Sequence, residues 1–127
     1  MKNNKGQTLV IFVVFLPLAI ILMATIVDIS LMYYNKNKLD NLNMMVIEYG
    51  IDNIKSEDLT SKLESLIVKN DKKIISKNIE IEDNRIEIKL KKNIDSTFGK
   101  VIGIEKYEIK SYYIGTNKEN KKEIKKG

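Results

Sequence analysis

From residue 7 to residue 27 the chain carries no charge, and this uninterrupted apolar run constrains the fold more than any other feature. Residues 8–27, TLVIFVVFLPLAIILMATIV, would form a helix about 30 Å long, the thickness of a bilayer's hydrocarbon core. Fourteen of those twenty residues are Leu, Ile, Val or Phe. At roughly −0.3 to −0.6 kcal/mol each in mid-bilayer, they outweigh the cost of Thr8, Pro17 and Thr25. A helix apolar on every side cannot be buried in the small core that about a hundred remaining residues can build. The run therefore predicts a transmembrane helix. A cleaved secretory signal is the competing reading, but its apolar core would be shorter and end in a small-x-small site. Here Ala24 has no small partner two positions away, which favours an uncleaved anchor. Pro17 removes one backbone hydrogen bond, leaves the Val13 carbonyl short of its partner and predicts a kink, although membrane helices tolerate a single Pro.

The flanks set the expected orientation. Lys2 and Lys5 precede the run without an acidic residue, Asp28 follows it at once, and Lys36 and Lys38 are offset by Asp40. This bias predicts a cytoplasmic leader over 1–7 and an extracellular C-terminal domain. Tyr33 and Tyr34 fall where interfacial aromatics would mark the outer membrane boundary.

Helical character continues over 28–55 as a stalk. Leu39, Leu42, Val46 and Tyr49 recur at 3-4-3 spacing, a face suited equally to the protein's own outer domain or to a partner helix. Gly50 is the natural stop. A small αβ domain is expected over 56–115. Ser56 offers an N-cap with Glu57 and Asp58 in the first turn, Leu59, Leu63, Leu66 and Ile67 line one face, and Lys69 falls in the last turn. In IEIEDNRIEIKL, residues 79–90, apolar and charged residues alternate strictly on both sides of Asp83-Asn84. A two-residue turn there pairs Glu82 with Arg85, Ile81 with Ile86 and Ile79 with Ile88, at the expense of setting Glu80 opposite Glu87. Asp and Asn tolerate the positive φ of a hairpin turn. Residues 96–103 predict a short helical turn anchored by Phe98, Val101 and Ile102. A third strand follows over 105–115, with Tyr107, Ile109 and Tyr113 on one face. The Lys-rich tail, 116–127, has too little apolar surface to fold and is expected to be disordered. The class predicted is α+β: a transmembrane helix running into a stalk, then one helix and a three-stranded antiparallel sheet.

Composition narrows the function. The chain of 127 residues has no Cys and no His, which excludes disulfides, thiolate nucleophiles, Cys/His zinc sites and imidazole bases. Ser96 lies in no nucleophile-elbow pattern, and Glu80, Glu82 and Asp83 match no metal-binding spacing and read as the wet side of a hairpin. No Gly-rich phosphate loop is present. The net charge of +5 is mild and Arg85 is the only Arg, whereas bidentate recognition of phosphate or guanine favours Arg. These features predict a protein that is not an enzyme, with no catalytic, metal-binding or cofactor-binding residues, no cofactor and no nucleic-acid partner.

Gly6-Gln7-Thr8-Leu9-Val10, then Phe15-Leu16-Pro17, Val27-Asp28-Ile29 and Tyr33-Tyr34 together resemble the N-terminus of TadE/TadG-like proteins of Tad (tight adherence, Flp-type) pilus assembly. Members open with a short basic stretch, a Gly, an apolar helix containing Leu-Pro, an acidic residue at its outer end and a Tyr-bearing stalk. Ser96-Thr97-Phe98 and Ile102-Gly103-Ile104 are similar to the family's C-terminal end. The resemblance implies a pilin-like structural or assembly component at the cell surface. Its partners would be the membrane and other pilin-like or pilus-assembly proteins, met through the N-terminal helix. It also implies a prepilin peptidase site at Lys5, Gly6 and Gln7, cut after Gly6. Cleaved members carry a Glu five residues into the mature chain, where Ile11 stands here; that carboxylate would neutralise a neighbouring subunit's amine. The departure favours an uncleaved, TadG-like anchor. Asp28 reads either as the first polar residue outside the bilayer or, by the resemblance, as a contact to a neighbouring helix. A surface-tethered binding module unrelated to pili is the alternative function.

Overall fold

The computed structural model describes residues 4–127. One helix, α1, runs from Asn4 to Asp52, about 74 Å at 1.5 Å per residue. It is followed by α2 (Leu59–Asn70) and by the strands β1 (Ile74–Glu82), β2 (Arg85–Asp95), β3 (Lys106–Lys118) and β4 (Lys121–Lys126). The strands form one antiparallel sheet in sequence order, β1-β2-β3-β4. The fold is α+β, with a long apolar N-terminal helix and four strands where three were expected.

The two halves of α1 have different surroundings. In its first half no side chain of the apolar run is buried by the protein, so one helix is long and apolar enough to cross a membrane. It continues through Pro17 without interruption. In the second half Leu39, Asn43, Val46, Ile47, Gly50 and Ile51 turn to the sheet and are buried, at the 3-4 spacing that keeps residues on one helix face. The stalk therefore packs on its own outer domain. Tyr49, expected on that face, is 40% exposed. Gly50 does not end the helix. A Cβ there would meet Ile86 Cδ1 at 2.6 Å, so glycine lets the last turn lie against β2, and Asn53 closes the helix by donating to the Tyr49 and Gly50 carbonyls.

The sheet covers the helix with one face. Ile86, Ile88 and Leu90 of β2 and Ile109 and Ser111 of β3 are buried, while Glu80, Glu82 and Lys89 face outward, the alternation of a sheet wetted on one side. Pairing follows the expected register: Glu82 with Arg85, Ile81 with Ile86, Glu80 with Glu87 and Ile79 with Ile88. The turn itself differs. Neither Asp83 nor Asn84 has a positive φ, and the Asn84 carbonyl is held by the Asn117 N–H of β3 at 2.9 Å. The third strand thus holds this turn by its carbonyl.

Two further expectations are corrected. Ser56 does not cap α2. The helix starts at Leu59, after Asp58 in left-handed conformation (φ 56°) with no side-chain cap, because six residues must reverse the chain before Leu59 can be buried. The Ser56 hydroxyl instead accepts a hydrogen bond from Lys62 Nζ at 2.6 Å. Residues 116–127 are not disordered. They complete β3 and form β4 around a Glu119-Asn120 turn with φ of 52° and 66°, positive at both central residues as a tight hairpin needs. Ile124 faces Gly115 and packs on the core, and Lys122 pairs with Asp52 of α1.

Candidate functional site: the junction between the apolar helix and the outer domain

Asp28 is the first charged residue after the apolar run, yet it is only 4% exposed. Its carboxylate receives the chain between β2 and β3. Oδ1 accepts hydrogen bonds from the N–H groups of Thr97 (2.8 Å) and Phe98 (3.1 Å). Oδ2 accepts from Phe98 (3.1 Å), Gly99 (2.6 Å) and the Tyr107 hydroxyl (3.2 Å). Burial pushes the carboxyl group's pKa up, but the three N–H donors and the tyrosine outweigh it and hold the group below its ordinary value. Burial and the adjacent carboxylate both push the Tyr107 phenol up.

Local sequence makes this geometry possible. Gly99 lies where a Cβ would meet the Tyr107 hydroxyl at 2.8 Å and the Ile104 carbonyl at 2.9 Å. Gly103, at φ 89°, ends the single 3-10 turn Gly99–Ile102 in a conformation that disfavours other residues. Ser96 closes the base of the loop, its hydroxyl donating to the Ile104 carbonyl at 2.6 Å and its N–H to the Glu105 carbonyl at 2.9 Å. Residues 96–104 therefore form a finger tied to α1 by one carboxylate.

The finger's apolar side chains do not anchor it to the core, contrary to expectation. Val101 is 85% exposed, Ile102 68% and Phe98 43%. They lie beside the helix's apolar segment, and together with Ile20, Ile21 and Ala24 they line an apolar groove of about 340 Å³. Sequence reasoning found Asp28 but missed its partners, Thr97 to Gly99 and Tyr107, which lie 69 to 79 positions away. The Gly-flanked apolar segment after Phe98 was the one available signal.

The other candidate residues are not brought to this junction. Lys5, Gly6 and Gln7 occupy the exposed first turns of α1, with nothing within 4 Å of a Cβ on Gly6, whereas Lys2 lies outside the described residues. Tyr33 and Tyr34 are 69% and 60% exposed, six and seven residues beyond the apolar run, and Lys38 Nζ sits 5.3 Å from the Tyr34 ring centre. Among the described residues no cluster of three or more acidic, His or Cys side chains could hold a metal ion. A second buried polar group fixes the helix on the sheet: Asn43 Nδ2 donates to the Ile88 carbonyl (3.0 Å) and the Ser111 hydroxyl (3.1 Å).

No family model, no curated protein and no solved structure matches the chain.

Proposed function

We propose that the protein is a single-pass, membrane-anchored structural or assembly component of a Tad/Flp-type pilus, with its N-terminus cytoplasmic and its αβ domain outside the cell. The supporting observation is the division of labour along α1. Its second half is committed to the sheet, while in its first half no side chain of the apolar run is buried and only the finger lies beside it. Such a helix can sit in lipid or pack laterally against similar helices, and any force on it passes directly to the outer domain. The pilus assignment itself rests on the N-terminal resemblance carried by Gly6, Pro17 and Asp28. Asp28 is already saturated by its own chain, so lateral association would use the apolar side chains and not this carboxylate.

Deletion of the coding sequence in the host, with surface filaments counted by electron microscopy, tests the reading. Loss of filaments, restored by the intact protein, is the expected outcome. Normal filaments would overturn the pilus role and leave the surface-tethered binding module. The mass of the membrane-extracted protein, with and without prepilin peptidase, separates a processed subunit starting at Gln7 from a permanent anchor.

A further inference from the structure

We propose that residues 97–104 form a second membrane contact, an interfacial finger that inserts its apolar tip into the outer leaflet beside the transmembrane helix. The inference rests on the membrane-spanning reading of α1 and is independent of any pilus role.

The finger's depth along the helix axis points to lipid. The groove between finger and helix is lined by Ile20 and Ile21, eight and seven residues before Asp28. At 1.5 Å per residue these lie about 10–12 Å below Asp28 along the helix axis. The finger therefore reaches back past the outer end of the 8–27 segment, to a depth at or just beyond the about 5–10 Å typical of interfacial insertion. Its most exposed side chains, Val101 and Ile102, would be costly to leave in water but suit hydrocarbon, and they continue the apolar surface of the helix.

Much of the finger's backbone is satisfied within the protein. Lipid tolerates irregular backbone only when its polar groups are satisfied within the protein. The N–H groups of Thr97, Phe98 and Gly99 bond to Asp28. Those of Val101, Gly103 and Ile104 bond to the carbonyls of Phe98, Lys100 and Gly99. Asp28 thus supplies acceptors to three N–H groups that would otherwise need water. The single charge between Thr97 and Ile104, Lys100, has a long stem that can carry its ammonium up to the lipid phosphates. The occupant of the groove is accordingly a phospholipid acyl chain.

The chain has no cysteine, so single thiols can be placed at will. Full-length Val101→Cys, Leu22→Cys and Lys55→Cys variants carry a nitroxide label in phosphatidylcholine/phosphatidylglycerol vesicles. Collisions with oxygen, enriched in lipid, are compared with collisions with a water-soluble nickel chelate. The label at Val101 should resemble that at Leu22, with oxygen accessibility several-fold above nickel accessibility, while Lys55 shows the reverse. A Val101 label as nickel-accessible as Lys55, beside a lipid-exposed Leu22, would overturn the finger and leave the transmembrane helix standing. A water-accessible Leu22 would overturn both. A Val101 label shielded from both reagents, with spin–spin broadening, would overturn lipid in favour of a second copy of the chain in the groove.

Discussion

Asp28 joins two stretches that sequence order separates by about seventy positions, and the chemistry of one acceptor explains why. Two carboxylate oxygens accept five hydrogen bonds from donors that have no other described partner in the finger. Asp28→Asn would turn one of these oxygens into an amide donor facing N–H groups, which repels instead of binding. The finger should detach while the sheet persists. In detergent solution, trypsin should cut after Lys100 much faster in the variant than in the parent, with mass spectrometry locating the site; equal rates would contradict the tie. Protonation makes the same break reversibly. The Asp71 carboxyl is also held below its ordinary pKa, where burial pushes up but the Lys92 ammonium at 2.6 Å and the Lys73 N–H pull harder. Both carboxylates are lower when folded than when unfolded, so their contribution to stability is complete above about pH 4 and vanishes as pH falls through the folded values. Thermal melts of the outer domain should show this component as a loss confined below about pH 4; a loss already complete at pH 6 would contradict it. None of these pairings is legible locally. A lone Asp after an apolar run is also what the end of any membrane helix looks like, and only the folded chain brings its donors into reach.

Where strands alternate strictly, the element can be read from the residues. The pairing about Asp83-Asn84 follows from putting Ile79, Ile81, Ile86 and Ile88 on one face, because a slip of one residue would turn them all to water. The last hairpin escaped that reading because lysine content hid the same period of two in KKEIKK, where only Ile124 marks the inner face. The finger escapes for the opposite reason: apolar residues in a short turn predict a place in the protein core, whereas here Val101 and Ile102 lie exposed beside the apolar half of α1. Glycine positions record the close approach of helix and sheet. A Cβ on Gly115 would overlap Ile47 and Ile51 of α1. Gly115→Val should therefore destabilise the outer domain by roughly 1–3 kcal/mol through overpacking. At about 4–8 °C per kcal/mol for a domain of this size, the loss is easily seen in a melt; an unchanged midpoint would place α1 farther from β3 than described. Ile88→Asp buries an unpaired charge at a fully enclosed site, a cost of several kcal/mol against a marginal domain stability. The outer domain should lose protease resistance while membrane insertion is retained, and continued resistance would refute the packing.

Across the whole molecule, one helix belongs to two solvents. Its apolar half needs lipid or other helices, and its amphipathic half needs the sheet, so neither half is satisfied alone. The finger bound to Asp28 sits where these two halves of the helix meet and ties the outer domain to the end of the apolar run. In the proposed membrane-anchored reading, this arrangement would transmit position from the bilayer to its exterior. The most direct test of the account uses single cysteines and a membrane-impermeant maleimide on intact host cells. A thiol from Lys55→Cys, beyond the end of α1, should label at once, and one from Gln7→Cys should label only after lysis. Labelling of Gln7→Cys in intact cells, or protection of Lys55→Cys, would contradict a helix that crosses the membrane with its sheet outside.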